Sequence, residues 1–144
     1  MRRIVGPSTL PVVLWTLLGL FVLRVVAQLL VANGQATFLP PMEAWQSGIF
    51  PYPGLVVAQF GLILVLGKVC LDLSRGDGFF AVRRPGLGTV LTVPGCVYLA
   101  AMVVRYILYL AHSPTDRWVH LPVFFHWVLA AFVLLVSAYN RQGR

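Results

Sequence analysis

Two arginines lie inside stretches of sequence that are otherwise apolar, and they are the residues best suited to chemistry. Arg24 lies within the apolar run 11–31, and Arg105 lies within the run 90–111. A guanidinium group can bind a carboxylate or phosphate through two parallel hydrogen bonds. An ionisable group inside a membrane span is a candidate functional residue. The two arginines therefore predict a site for an anionic or carbonyl-bearing ligand.

Each of the four apolar runs carries a polar residue at a similar depth. A helix rises 1.5 Å per residue, so Arg24 and Arg105 lie about 10 Å and about 9 Å from one end of their runs. Gln59 and His126 each lie about 6 Å from the same end of theirs. A further polar side chain follows each arginine by four residues, on the same helix face. The predicted pocket residues are Arg24, Gln28, Gln59, Arg105, Tyr109 and His126.

A structural interpretation of this polar layer stays open beside the ligand interpretation. In it, the acids of the two outer loops pair with the arginines, and Gln28 hydrogen-bonds Gln59. Interhelical polar contacts of this kind average about 0.6 kcal/mol, which is enough to fix the register of two helices. In the ligand interpretation, the same loops fold over the mouth of the pocket. The residues predicted to form the lid or its ion pairs are Glu43, Trp45, Asp116 and Trp118.

The composition indicates the elements that carry these residues. Hydrophobic residues make up 59% of the 144 residues and charged residues only 10%, whereas about a quarter of a soluble domain is charged. The runs, roughly 11–31, 55–71, 90–111 and 122–139, approach or reach the length that crosses a bilayer. The sequence predicts an all-α, integral membrane four-helix bundle made of two helical hairpins in one domain. Its outer loops would be 32–54 and 112–121, and its inner loop 72–89.

The basic residues are distributed unequally between the two sides of this bundle. The formal net charge is +7. Basic residues of membrane proteins concentrate on the cytoplasmic side, and here one side carries Arg2, Arg3, Lys68, Arg75, Arg83, Arg84, Arg141 and Arg144. The opposite side carries only Arg117. We therefore expect a multi-pass protein with both termini in the cytoplasm. The composition, rich in valine, alanine, glycine and arginine, suggests a bacterial inner membrane, and an apolar chain of this kind predicts no nucleic-acid partner.

The histidines do not predict a metal or haem site. His112, His120 and His126 are eight and six residues apart, so no two of them share a helix face one turn apart. Haem held by two histidines needs both ligands at one depth, and only His126 lies clearly inside a span. The sequence carries no nucleophile elbow, phosphate-binding loop or dinucleotide fingerprint. No catalytic residue is predicted, and a bound cofactor would be a quinone or lipid.

The layout resembles the DoxX-like class of small four-helix bacterial membrane proteins. The resemblance is carried by four helices with both termini inside, by Arg24 in the outer part of the first helix, and by the proline- and aromatic-rich loop 38–54 that follows it. It covers the topology of the whole chain. Some members of that class resemble subunits of membrane oxidoreductase or quinone-linked systems, so the resemblance implies a role of that kind.

The sequence predicts a non-catalytic accessory subunit of a larger membrane complex, because the loops are too short for a soluble catalytic domain. Its outer pocket would bind a lipid, a quinone or another amphiphile. The alternative is a quinone- or lipid-linked oxidoreductase component that uses Arg24, Arg105 and His126. A third hypothesis is a small anion transporter, although the apolar inner halves of the helices offer no path for an anion. The expected partners are membrane lipids and either other membrane subunits or a second copy of the chain.

Overall fold

The described residues of this chain fold into four α-helices. A computed structural model describes residues 9–34, 52–112 and 120–142. The helices are α1 (Leu10–Ala32), α2 (Tyr52–Arg75), α3 (Pro85–His112) and α4 (His120–Arg141). All four are long and apolar enough to cross a membrane. The prediction of an all-α four-helix bundle is confirmed, and the chain is a small multi-pass membrane protein.

The helices pack as two hairpins joined through α1 and α4. Helix α1 packs against α2, and α3 packs against α4 along the most extensive interface of the bundle. Contacts between α1 and α4 join the two pairs. Among the described residues, the backbones of α2 and α3 do not approach one another, although these helices are consecutive in the chain. These two helices are therefore joined by the segment 76–84 and not by packing against each other.

Neighbouring helices run antiparallel. Trp15, early in α1, donates its indole N–H to the hydroxyl of Ser74, late in α2, at 2.8 Å. Gly88, early in α3, lies against Arg141 at the end of α4. We call the end of the bundle that holds Leu10, Arg75, Pro85 and Arg141 the connector end, and the opposite end the arginine end.

An apolar core fills the half of the bundle nearest the connector end. Helix α1 buries Leu10, Leu14 and Leu18, which recur every four residues and so form one stripe. The stripe packs against Phe132 and Val136 of α4. Helix α2 completes the core with Leu66, Val69 and Cys70. The apolar interior predicted for this half is therefore confirmed for α1, α2 and α4.

The inner loop is shorter than the predicted 72–89, because both adjoining helices are longer than their apolar runs. Helix α2 continues to Arg75 and ends at Gly76, whose φ of 75° lies in the left-handed region that terminates many helices. Helix α3 begins at Pro85, since proline fits a first helical turn, where its missing N–H needs no acceptor. The segment between them, 76–84, is called the connector below.

Asp72, in the last turn of α2, holds the connector in a fixed turn. Its Oδ1 atom accepts a hydrogen bond from Lys68 Nζ at 2.7 Å, and its Oδ2 atom accepts one from the backbone N–H of Phe80 at 3.1 Å. Gly78 lies against the same carboxylate with a φ of 95°. A Cβ atom at Gly78 would lie 2.6 Å from the Asp72 carboxylate. The turn therefore requires glycine at this position.

Helices α3 and α4 approach each other closely at two glycines of α3. A Cβ atom at Gly88 would lie 2.9 Å from the backbone carbonyl oxygen of Ser137. The Ser137 hydroxyl donates to the carbonyl of Gly88 at 2.7 Å and lies 2.6 Å from the hydroxyl of Thr92. Two turns further along α3, a Cβ atom at Gly95 would meet Leu134 at 2.9 Å. Small residues on α3 thus set the rotation of the two helices against each other.

Candidate functional site

Arg24 lies on the buried stripe of α1, in the half of the helix nearer the arginine end. Only 7% of its surface is exposed. The stripe that buries Leu14 and Leu18 continues through Phe21, and one further turn places Arg24 against α4. There the guanidinium carbon lies 5.7 Å from the centre of the Phe125 ring. The sequence thus folds a positive charge into the bundle interior, partly against an aromatic ring.

Gln28 and Gln59 join α1 to α2 one turn nearer the arginine end. The Gln59 amide N–H donates to Gln28 Oε1 at 3.1 Å, and both side chains are buried. This contact confirms the predicted hydrogen bond between the two glutamines. The Gln28 amide nitrogen itself has no hydrogen-bond acceptor among the described residues. The pair therefore fixes helix register, and one of its buried donors has no acceptor in the described part of the chain.

Arg105 is half-buried on α3 and contacts the tyrosine one turn further along the helix. Its Nη2 atom donates to the Tyr109 hydroxyl at 3.0 Å, and its Nε atom lies 3.4 Å from the same oxygen. Within the part of the chain that the structure describes, this neutral hydroxyl is the only hydrogen-bond partner of the Arg105 guanidinium. Several N–H donors of Arg105 therefore have no acceptor among the described residues.

A hydrogen-bonded pair, Tyr98 and His126, links α3 to α4 between the two arginines. The Tyr98 hydroxyl and His126 Nδ1 form the hydrogen bond, and the two rings meet edge to face with their centres 5.7 Å apart. Arg24 contacts Phe125, the neighbour of His126 in α4, and Arg105 lies two turns from Tyr98 on the same face of α3. Side chains from three helices therefore share one region. We call Arg24, Tyr98, Arg105 and His126 the arginine layer.

The structure brings some of the predicted site residues together and leaves others apart. Arg24, Arg105 and His126 share the arginine layer, with Tyr109 attached through Arg105. Gln28 and Gln59 form a second group at the α1–α2 interface. The predicted lid and ion-pair residues lie outside the described part of the chain, so their role stays a prediction: Glu43, Trp45, Asp116 and Trp118.

Sequence reasoning missed Tyr98 as a member of the site. The signal was present, because Tyr98 precedes Arg105 by seven residues and so lies two turns away on the same face. Its pairing with His126 depends on how α3 and α4 are rotated against each other, which the spacing alone does not determine. Trp127 was also missed. Its ring meets Tyr106 edge to face at 5.4 Å, and its indole N–H has no acceptor among the described residues.

The arginine end of the bundle carries N–H donors that have no acceptor among the described residues. Arg105, the Gln28 amide and the Trp127 indole all present N–H groups at this end of the bundle. Within the described ranges, no three histidine, cysteine or acidic side chains gather as a metal ion would require. Comparison with protein-family models, curated proteins and solved structures found no match to this chain.

Proposed function

We propose that this chain is a non-catalytic subunit of a larger bacterial inner-membrane complex, with both termini cytoplasmic, and that its arginine layer holds the head of an amphiphile. The proposal is carried by Arg24, which is buried against Phe125 of α4, and by Arg105, which shares a face of α3 with Tyr98, the hydrogen-bond partner of His126. Two positive charges in one layer of a membrane bundle favour a ligand that is anionic or rich in acceptors.

The buried donors support an acceptor-bearing head. Leaving a buried donor without an acceptor costs about 1–3 kcal/mol. The amide of Gln28 and the indole of Trp127 are such donors among the described residues. A phosphate, carboxylate or carbonyl oxygen would offset part of that cost while it also neutralises Arg105. The apolar tail of the same molecule would lie along the exposed faces of the helices, where lipid is expected.

An accessory role is supported by how little of the described chain lies outside the helices. The only described segment that joins two helices is the connector, of nine residues, which leaves no room there for a catalytic domain. Long apolar faces of α2 and α3 are exposed, including Val57 and Leu64 on α2 and Val93 and Val97 on α3. These faces are suited to lipid or to the helices of a partner subunit.

Native mass spectrometry of the protein purified in a mild non-ionic detergent tests the proposal. We expect an additional mass from a co-purified amphiphile on the unaltered chain, and its loss from Arg105→Ala. Leu108→Ala, which truncates an exposed residue nearly one turn away, is the matched control and should retain the ligand. Arg105→Lys should bind less, because an ammonium group lacks the planar fork of the guanidinium. Retention of the same mass by Arg105→Ala would refute the proposal.

The Tyr98–His126 pair favours a second candidate, a quinone-linked oxidoreductase component. A hydrogen-bonded phenol and imidazole can donate to a quinone carbonyl and move a proton beside it. Organic extraction of the purified protein, followed by chromatography with ultraviolet detection, would show a quinone. This candidate predicts that Tyr98→Phe and His126→Phe remove the bound quinone, whereas a lipid with an anionic head should depend chiefly on the arginines.

We find no support for an anion path, because Leu14 and Phe132 fill the core across the connector half.

A further inference from the structure

The connector presents two consecutive arginines that lie over aromatic rings. The guanidinium carbon of Arg84 lies 4.0 Å from the centre of the Phe79 ring, and that of Arg83 lies 4.9 Å from the centre of the Tyr139 ring. Both arginines are exposed. A guanidinium group held over a ring loses part of its rotational freedom before any ligand arrives. The entropy cost of binding an anion is lower for such a side chain than for a freely rotating one.

The hydrogen-bond donors of this arginine pair remain available. Among the described residues, the Arg84 guanidinium makes no hydrogen bond, since only the backbone N–H of that residue is used. Arg83 makes one long contact, from Nη1 to the carbonyl of Gln142 at 3.4 Å. Contact with a ring face does not occupy the N–H groups along the guanidinium edge. The guanidinium groups of two consecutive residues therefore offer N–H donors to the oxygens of an anion.

The backbone beneath the pair is held from both sides of the bundle. On the α2 side, Asp72 accepts the N–H of Phe80. On the α4 side, the Tyr139 hydroxyl donates to the carbonyl of Ala81 at 2.6 Å, and Asn140 Oδ1 accepts the N–H of Arg84 at 2.9 Å. Asn140 is buried, and its amide donates to the carbonyl of Val136 at 2.9 Å. The arginine pair is thus a built feature of the fold.

The surroundings of the pair match an anionic lipid. The charged side chains described at the connector end are basic in five cases and acidic in two: Lys68, Arg75, Arg83, Arg84 and Arg141 against Asp72 and Asp77. The carboxylate of Asp72 already accepts from Lys68 and from Phe80. Beside the arginines, Phe79 and Val82 are 52% and 58% exposed. Exposed apolar side chains at the end of membrane-spanning helices lie at the depth of lipid headgroups and upper acyl carbons.

We propose that connector residues 79–84 form a binding site for the phosphate of an anionic phospholipid. Arg83 and Arg84 donate to the phosphate oxygens, and Phe79 and Val82 contact the upper part of the acyl chains. This site lies at the opposite end of the bundle from the arginine layer and does not depend on it. A free phosphate ester offers the same oxygens, but it would leave the two exposed apolar side chains without a partner.

The proposal is tested by titrating the detergent-solubilised full chain with phosphatidylglycerol, with phosphatidylcholine and with glycerol phosphate, and measuring each complex by native mass spectrometry. We expect phosphatidylglycerol to bind at least about tenfold more tightly than phosphatidylcholine, and glycerol phosphate to bind weakly. Equal binding of the two lipids would overturn the site. Binding of glycerol phosphate as tight as that of phosphatidylglycerol would overturn its assignment to a lipid.

Three variants separate this site from general attraction by positive charge. General attraction between a basic residue and an anionic lipid is worth about fivefold in affinity. Arg75→Gln is the matched control, and it should weaken phosphatidylglycerol binding by no more than this factor. Arg84→Gln should weaken phosphatidylglycerol binding by more than about tenfold, since it also removes the positioned donors. Phe79→Leu keeps the charge and the apolar character but removes the ring, and it should weaken binding several-fold.

Equal losses from Arg75→Gln and Arg84→Gln would overturn the site, as would unchanged binding by Phe79→Leu. Far-UV circular dichroism and the unfolding midpoint in detergent must match those of the unaltered chain for each variant. A variant that fails this check is replaced by Arg83→Gln, which is expected to lose affinity as Arg84→Gln does.

Discussion

The two ends of the bundle use polar side chains in opposite ways. At the connector end, buried polar groups bond to one another or to backbone: Ser137 to Gly88, and Asn140 to Arg84 and Val136. The buried donors without a described acceptor that are named above, on Gln28 and Trp127, lie at the arginine end. A saturated network stabilises the fold, whereas surplus donors favour a ligand. The difference assigns a structural role to the buried polar groups of the connector end and a binding role to those of the arginine end.

The largest effect expected from this difference is the loss of stability in Gly88→Ala. The added methyl group would lie 2.7–2.9 Å from Arg141 and from the carbonyl of Ser137, so α3 and α4 would have to separate where they are hydrogen-bonded. Overpacking of this kind costs about 3 kcal/mol when backbone atoms are the neighbours. Unfolding by SDS titration, followed by circular dichroism, would measure the loss.

Gly86→Ala is the matched control for Gly88→Ala. Gly86 lies in the same first turns of α3, and a Cβ atom there would meet no heavy atom within 4 Å. Because alanine has the higher helix propensity, this variant should be as stable as the unaltered chain or slightly more stable. Equal stability of the two variants would mean that the α3–α4 contact does not depend on close approach at Gly88.

A smaller loss of stability is expected from Gly78→Ala, because this substitution disturbs only the turn of the connector. Alanine at a φ of 95° is strained, and its methyl group would lie 2.6 Å from the Asp72 carboxylate. We expect a cost of about 2 kcal/mol, from the strain together with the displaced carboxylate. Gly76→Ala shares the positive φ but has open space around it. It should therefore cost only about 1 kcal/mol in the same unfolding measurement, and equal costs would show that Asp72 does not hold the turn.

The sequence predicted the arginine end better than the connector end, and the reason is physical. A charged or amide side chain in an apolar run is conspicuous, and its depth follows from the helical rise alone. Gln28 and Gln59 could therefore be paired before the fold was known. The role of Asp72 could not be predicted in this way, because it depends on the connector folding back through the left-handed turn at Gly78.

The pairing of Tyr98 with His126 shows a second limit of sequence reasoning. Both residues fall within apolar runs, but the face that each helix turns to its neighbour is set by contacts elsewhere. Gly88 and Gly95 bring α3 against α4 in one rotation, and that rotation places Tyr98 opposite His126. Small residues that allow close approach thus position the polar residues of the candidate site, although they carry no chemistry themselves.

The glutamine pair gives the smallest effects and the sharpest distinction between a structural contact and a binding surface. Gln28 is only 1% exposed. The substitution Gln59→Leu removes the donor to Gln28 Oε1 and leaves the buried Gln28 amide without a described partner. We expect a loss of about 1 kcal/mol.

The double variant Gln28→Leu/Gln59→Leu should return to within about 0.5 kcal/mol of the unaltered chain, because replacing both partners with apolar groups leaves no buried polar group unpaired. A double-mutant cycle from SDS unfolding measures the coupling between the two residues. Additive losses would show that each glutamine stabilises the bundle by itself, and the arginine end would then be as much a structural network as the connector end.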